Sequence, residues 1–426
     1  MNFPRIRLTF GVFQNLLIPG FLLTGSLLCH SALAIQEHEA EQLKFDSSLT
    51  LASLLDLTLE RHPQSGLLAA RSASAQANEK YASRWLPDVT RLNAFHLSDN
   101  VFDDTGLYEN EVALSFPIWL PGEKKAQTVM GERMTASQDS DQAELRWQVS
   151  GQLRQQLWQL TLAVRQWELS LEQEQRMGEL MTQVTLFAEA GELSRADQLA
   201  VMEEFAVLKG ETMLLEAGYM DAIRSYHSLT GLEVVPEQID EQLSEIHEIN
   251  DQHPALRQAM DHVSESSAST EVAREGTNIR PSVDVFWRGL RSDAQSPGLN
   301  ALGIGFAMPL GKSPKNGPEV AKAFEAYATA QAELVSIKRE LELQLHEANH
   351  TLHTSREQIE NSDAIMNAAN ERFELDKLAY ELGEFSTSEW LRRLSRLKDM
   401  ERSHELLLIQ QGAAIAAYNQ AVGESL

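Results

Sequence analysis

Four segments of the chain are predicted to be β-strands from the alternation of apolar and polar residues, which is poor in the first of them, Val89–Leu97. They come in two pairs, Val89–Leu97 with Glu111–Trp119 and Ser282–Arg291 with Ala301–Leu310, and each pair flanks a polar loop. The last segment alternates most regularly, and its apolar face carries Leu302, Ile304, Phe306, Met308 and Leu310. Strands of about ten residues with one apolar face suit a tilted crossing of a lipid bilayer. A soluble hairpin resting on helices is the alternative; we favour membrane strands because both pairs keep their length and pattern.

Two long segments without proline predict unusually long helices. They run over Glu123–Glu189 and Glu319–Tyr380, and apolar residues recur along them at alternating steps of three and four. At about 1.5 Å per residue, helices of roughly 65 residues reach about 100 Å, far more than an ordinary globular helix. Such rods need partners along their whole length. The expected partners are two returning helices and two shorter first helices, at Ser194–Thr230, Ser386–Val422, Leu49–Trp85 and Pro254–Gly276.

The chain is duplicated, because landmark residues recur at a constant separation. Pro117 returns as Pro309 and Gly191 as Gly383, and each separation is 192 residues (309 − 117). Each copy has the same order of first helix, strand pair, long helix, glycine turn and returning helix. We therefore predict two repeats, residues 35–235 and 236–426, with helical tips near residues 191 and 383.

The first 34 residues have the pattern of a signal peptide. Arg5 and Arg7 precede an apolar run, and Ala32-Leu33-Ala34 supplies small residues for cleavage. A retained membrane anchor and lipidation at Cys29 are the alternatives. Polar residues within the run count against the first, and Leu28 before the cysteine counts against the second. The sequence therefore predicts export from the cytoplasm.

The composition excludes several classes of partner. The formal net charge is −26, which argues against nucleic acid and against a polybasic surface for anionic lipid. The acidity serves solubility or forms a surface that attracts cations. After the signal segment no apolar run of about 18 residues occurs, so no transmembrane helix is predicted.

The four strands need further strands from other chains. They are too few to close on themselves, since the smallest common membrane barrels have about eight. Strand edges in lipid must be hydrogen-bonded. The sequence therefore predicts an oligomer.

Several short motifs, in this order, resemble the outer-membrane factor family, the TolC-like channel-tunnels of Gram-negative efflux and secretion systems. They are Leu49-Thr50-Leu51-Ala52-Ser53-Leu54-Leu55, Glu60-Arg61-His62-Pro63, Trp85-Leu86-Pro87-Asp88, Phe116-Pro117-Ile118, two Gly-Glu-x-Ser turns and Leu229-Thr230-Gly231. The resemblance covers essentially the whole mature sequence. It implies a mainly α fold of duplicated long antiparallel helices that form an α-barrel. It also implies a homotrimer, whose twelve strands close a β-barrel in the outer membrane and whose helices reach across the periplasm.

The resemblance also assigns roles to the two glycine turns. As periplasmic tips they would dock the hairpin tips of a membrane-fusion adaptor through Gly191, Glu192, Ser194, Gly383, Glu384 and Ser386. In this family, residues just after the second tip close the entrance by acidic rings and salt bridges. Glu389 takes such an acidic position, but Arg392 stands where a second acid is often found, so a Glu389–Arg392 pair is an alternative to an acidic ring. In the first copy the corresponding residues are Asp197 and Arg195. For such acids an ordinary helix N-terminus is the simpler interpretation.

A metal site and catalysis have weaker support. His346, His350 and His353 share one helical face at a spacing that could ligate zinc or copper, but a solvated polar face is the commoner explanation. No nucleophile elbow or zinc-protease motif occurs in the sequence. We expect no enzyme and no cofactor.

The sequence thus predicts a passive exit duct in the outer membrane, which extends into the periplasm. Its expected partners are an adaptor, an inner-membrane transporter, favoured to be of the resistance-nodulation-division type, and outer-membrane lipid. Metal cations or drugs are the favoured substrates. The segment Pro121-Gly122-Glu123-Lys124 and the acidity resemble the heavy-metal efflux branch, and drug efflux stays open beside it. A type I protein secretion duct and a periplasmic coiled-coil scaffold without a pore are the alternatives.

Overall fold

The computed structural model describes residues 43–191, 194–276, 280–311, 316–384 and 387–426. The predicted signal peptide lies outside these residues. The helices are α1 (Leu51–Arg61), α2 (Pro63–Ser83), α3 (Glu123–Glu189), α4 (Arg195–Thr230), α5 (Pro254–Glu275), α6 (Asn316–Glu381) and α7 (Thr387–Ala421). The strands are β1 (Lys44–Asp46), β2 (Arg91–Ser98), β3 (Tyr108–Pro117), β4 (Val234–Pro236), β5 (Ser282–Arg291) and β6 (Leu299–Ala307).

The element order repeats, since helix, strand pair, long helix and returning helix occur twice. The long helices were predicted to within three residues at each end, and α3 has the predicted bounds. The predicted boundary between the repeats, after Val235, falls inside β4. The division into two repeats at that residue stays a prediction.

The first helical segment was predicted wrongly as one helix. α1 ends at Arg61, His62 is extended with φ −69° and ψ 131°, and α2 begins at Pro63. The His62 side chain accepts a hydrogen bond from the backbone N–H of Gln64 and so caps α2. Proline lacks an N–H and fits the first turn of a helix, but not its interior. The chain therefore stops one helix and starts another at this dipeptide.

The helices α2 to α7 form two layers of four that share α3 and α6, and α1 packs on α3 and α4. Near the strands the order across the layer is α2, α3, α5 and α6; near the glycine turns it is α4, α3, α7 and α6. α6 therefore lies at one edge of both layers, and α2 and α4 lie at the other edge. Within the described part of the chain, no helix is long and apolar enough to cross a membrane.

The larger sheet is antiparallel, with the strand order β2-β3-β5-β6. β5 has the predicted bounds, and the other three strands are shifted by one to three residues. β1 and β4 form a separate parallel pair that was not predicted. Three residues are too few to show alternation, so the sequence pattern carried no signal for them.

The largest apolar cluster joins α1, α3 and α4 beside β4. It contains Leu54, Leu55, Val149, Leu153 and Tyr226. The Tyr226 hydroxyl donates a hydrogen bond of 2.7 Å to the Val234 carbonyl oxygen. Burial raises the pKa of Tyr226 to about 12, so this donor keeps its proton at physiological pH.

Candidate functional site: the sheet and the ion-pair network beside the second turn

One face of the larger sheet is apolar across all four strands. Leu92, Leu114, Val285 and Ile304 are direct cross-strand partners, and the next row consists of Ala94, Val112, Trp287 and Leu302. On the edge strand β6 these side chains are almost fully exposed, with Leu302 at 82 % and Ile304 at 79 %. A continuous apolar face of this kind is rare on a water-exposed surface. It suits contact with lipid acyl chains.

The opposite face of the sheet, called the polar face below, carries Arg288 and the acids Glu109, Glu111 and Asp284 among several apolar side chains. Arg288 on β5 lies between two acids of β3, with its Nε 3.1 Å from Glu109 Oε1 and 2.8 Å from Glu111 Oε2. This cluster therefore has two carboxylates and one guanidinium, with a formal charge of −1. A polar face opposite an apolar one is the arrangement of a strand between lipid and a water-filled space.

The lack of a side chain at Gly303 on β6 leaves space for its cross-strand neighbour. The ring of Phe286 lies over this glycine, so a Cβ there would be 2.3 Å from the ring carbon Cζ. Gly303, Gly305 and Ala307 alternate with large apolar residues along β6, so the small residues lie on the polar face. The small residues leave room on that face for the aromatic ring.

The two glycine turns join antiparallel helices. Gly191 and Gly383 have φ values of 81° and 76°, a left-handed conformation that glycine adopts readily. At the second turn the backbone N–H groups of Gly383 and Glu384 donate to the carbonyls of Tyr380 and Ala379. Ser194 and Glu384 are exposed. Glu192 and Ser386 lie outside the described residues, and adaptor docking stays a prediction.

Glu389 and Arg392 are brought together as the sequence spacing predicts. Arg392 Nη1 lies 3.3 Å from Glu389 Oε2, and Arg393 Nε lies 3.1 Å from Glu389 Oε1. Arg393 also pairs across the helix boundary with Asp376 on α6, and Arg372 Nε lies 3.3 Å from the other oxygen of Asp376. The network therefore joins the start of α7 to the end of α6.

Sequence reasoning missed Arg393, Asp376 and Arg372. The spacing of Glu389 to Arg393 and of Arg372 to Asp376 is i, i+4, which is a signal for pairs within one helix. The cross-helix pair depends on how α6 and α7 pack, and no spacing reports that. Asp376 is only 13 % exposed, and its hydrogen bond is the main cause that raises the pKa of Arg393. The guanidinium therefore stays charged.

Aromatic stacking holds the network in place. The Trp390 ring stacks on Tyr380 with centroids 5.3 Å apart and on Phe373 with centroids 5.1 Å apart. Both partners lie on α6, so these contacts fix the first turn of α7 against α6. Glu389, the preceding residue, is thereby positioned next to its arginine partners.

The first turn has a different polar arrangement. Arg195 donates to the side-chain oxygen of Gln198, and Gln198 Nε2 donates to Thr185 Oγ1 over 3.3 Å. This bond joins α4 to α3. The side chain of Asp197 lies outside what the structure describes, so its role stays a prediction.

The three histidines on α6 do not gather around a common point with further ligands. His346, His350 and His353 are exposed, and His353 Nε2 lies 3.7 Å from Glu357 Oε1. Across the described ranges, no group of three or more His, Cys, Asp or Glu side chains is placed to hold a metal ion.

Comparison with known proteins finds solved structures of similar fold. No family model and no curated protein matches the sequence. The outer membrane protein VceC from Vibrio cholerae is 14 % identical and superposes with a TM-score of 0.66 over 88 % of this chain and 96 % of that chain. The outer membrane channel CmeC from Campylobacter jejuni is 14 % identical, with a TM-score of 0.64 and coverages of 96 % and 94 %. The open MtrE outer membrane channel from Neisseria gonorrhoeae is 13 % identical, with a TM-score of 0.61 and coverages of 91 % and 95 %.

These superpositions cover nearly the whole of both chains. The protein has a mainly α fold in which duplicated long helices carry a small antiparallel sheet. That fold is the fold of the outer-membrane channels. The fold that the resemblance to the outer-membrane factor family implies is thereby confirmed, and the heavy-metal branch stays a prediction.

Proposed function

We propose that this protein is the outer-membrane channel-tunnel of a tripartite efflux system. It is a passive exit duct and makes or breaks no bond in its substrate. The observation that carries this proposal is the apolar sheet face, exposed across four strands whose opposite face is polar. A coiled-coil scaffold in water would not be expected to expose a continuous apolar face of this kind.

Both edges of the sheet support assembly of several copies. Within the described chain, β2 pairs only with β3 and β6 only with β5, so each has one open edge. An unpaired backbone N–H or C=O in hydrocarbon costs several kcal/mol. Joining β6 of one copy to β2 of the next would satisfy these groups. Three copies would close a wall of twelve strands, the homotrimer that the resemblance implies.

The helical layers have matching open edges. Phe324, Val335 and Leu343 on the edge helix α6 are about half exposed, and Val207 and Leu214 on α4 are more exposed still. Apolar side chains on both edges favour lateral packing of α6 against the opposite edge of a neighbouring copy. The same three-fold assembly would then close the strands and the helices together.

The proposed partners follow from this assembly. The glycine turns would meet a periplasmic membrane-fusion adaptor, and an inner-membrane transporter, favoured to be of the resistance-nodulation-division type, would supply the energy. The duct would lie in the outer membrane and extend into the periplasm. Metal cations or drugs are the favoured substrates, with type I protein secretion as the alternative use of such a duct.

The ion-pair network at the start of α7 is proposed as the gate. Two arginines of α7 hold Glu389, and Arg393 also holds Asp376 of α6. Such pairs fix one arrangement of α6 and α7, and they can break when an adaptor pulls the helices apart. The network would then act as a two-state latch at the periplasmic entrance.

Single-channel recording in planar bilayers tests the duct and the gate together. Glu389→Ala removes the carboxylate that both α7 arginines share, so we expect a higher single-channel conductance. Glu360→Ala is the matched control, because Glu360 is an exposed acid of α6 away from the turn. Equal conductance of Glu389→Ala, Glu360→Ala and the parent would refute the gate. Recovery of the protein in the soluble periplasmic fraction without detergent would favour the scaffold instead.

A further inference from the structure

A small cavity lies between α6 and α7, next to the ion-pair network. Its volume is about 230 Å³. Ala369 and Phe373 of α6 and Leu397 and Met400 of α7 form its apolar wall. The volume is below the roughly 300–1,000 Å³ of drug-sized sites, so only a compact molecule fits.

The charged rim of this cavity is positive. It contains three guanidinium groups, those of Arg372, Arg393 and Arg396, and one carboxylate, that of Asp376. Arg372 and Arg393 both pair with Asp376, whereas Arg396 is exposed and forms no ion pair with any described residue. The formal charge of the lining side chains is therefore +2 (3 − 1), and it is +1 when Glu389, which pairs with Arg393, is included. The whole protein has a net charge of −26. The local sign is opposite to that of the whole molecule.

We propose that this cavity binds a compact organic anion with a carboxylate or sulfonate head and an apolar ring. Arg396 would hold the head group, because a planar guanidinium bonds two oxygens of such an anion at once. The ring would lie on Ala369 and Phe373. A cation of the same shape is disfavoured by the rim, and a small inorganic anion leaves the apolar wall unused.

The location of the cavity couples this binding to the gate. A second anion beside Arg372 and Arg393 competes with Asp376 for their donors. Occupancy therefore weakens the contact between α6 and α7 that closes the network. This consequence rests on the proposed duct, but binding itself does not.

Calorimetric titration tests the binding, with the protein in lipid nanodiscs, empty nanodiscs as the blank and 2-naphthalenesulfonate as the probe. We expect Arg396→Gln to weaken binding by about threefold to tenfold, as the loss of one exposed charge contact does. Ala369→Trp fills the cavity and should abolish binding. Arg356→Gln changes an exposed arginine of α6 outside the cavity and should leave the affinity unchanged. The cationic analogue 2-naphthylmethylammonium should bind at least tenfold more weakly than the sulfonate.

The outcomes separate the cavity from the duct. Equal affinity of Arg396→Gln, Ala369→Trp and the parent would overturn the proposed site, as would equal binding of the cationic analogue. A protein that binds the sulfonate as expected but forms no channels would refute the duct and leave the site standing. A conducting protein that fails to bind the sulfonate would refute the site alone.

Discussion

Replacement of Arg154 by methionine tests how the two repeats are held together. Arg154 lies on α3 of the first repeat and is 5 % exposed, whereas its partners come from the beginning and the end of the second repeat. Its Nη2 and Nε lie 2.7 and 2.9 Å from the two carboxylate oxygens of Glu241. Its Nη1 donates to Gln420 Oε1 at 2.6 Å and to the Glu424 carbonyl oxygen at 2.7 Å.

The expected cost follows from what the substitution leaves behind. Glu241 is only 12 % exposed and would lose the guanidinium that pairs with it. Breaking a buried ion pair by removing one partner costs about 3–5 kcal/mol, whereas replacing both partners by apolar residues is often close to neutral. Arg154→Met should therefore lower the free energy of unfolding by about 3–5 kcal/mol. The double variant Arg154→Met/Glu241→Leu should recover most of that loss.

Equilibrium unfolding in urea measures this difference, with the protein in detergent and helicity followed by circular dichroism. Arg176→Met is the matched control, because Arg176 is also on α3 but pairs with Glu172 where both side chains are about half exposed. That pair is expected to contribute less than about 1 kcal/mol. A loss for Arg154→Met no larger than the control's would refute the argument. So would a double variant that is less stable than the single one.

Three further predictions concern the sheet, a buried histidine and a close helix contact. Leu302→Lys should prevent stable insertion into outer-membrane vesicles, at a cost of about 2–4 kcal/mol for a lysine against lipid. Ala301→Lys, one residue away on the polar face, should still insert; equal behaviour of the two variants in flotation assays would contradict the assignment of faces. Burial lowers the pKa of His253 from 6.5 to about 4. As the pH falls, His253 is therefore protonated in the unfolded chain before it is protonated in the folded one. The free energy of unfolding should decrease between about pH 6.5 and 4, by at most about 3 kcal/mol. His253→Phe should flatten that part of the pH profile of the urea midpoint, and an unchanged profile would exclude His253 as the cause. Gly412→Ala should reduce the melting temperature, because a Cβ there would lie 2.1 Å from the Trp158 ring; an unchanged melting temperature would show that the ring has room to move.

The sequence predicted the long elements well because their signals are local. α3 lacks proline and is flanked by Gly122 and Gly191, so its bounds could be predicted from the sequence. Both glycines have positive φ in the structure. The break at His62–Pro63 was missed, although the proline was visible, because helix-forming residues on both sides suggested continuity. The parallel pairing of β1 and β4 joins segments 190 residues apart (234 − 44 = 190), and no periodicity in the sequence indicates such a contact.

At the candidate gate, too, the local contact could be predicted from the sequence and the contact between helices could not. The resemblance left a Glu389–Arg392 pair as the alternative to an acidic ring, and the two side chains do form an ion pair. The partner that links the two helices, Asp376, comes from the end of α6. Its contact with Arg393 depends on the stacking of Trp390 between α6 aromatics, which is a product of tertiary packing. Pairs within a helix follow from spacing, whereas pairs between helices require the fold.

The most direct test of the duct is the behaviour of the purified protein in lipid. Its mass in detergent is measured first, and the same preparation is then added to a planar bilayer. If the protein is a duct, it should be a trimer that produces discrete, uniform conductance steps. A monomer that leaves the bilayer electrically silent would contradict this proposal.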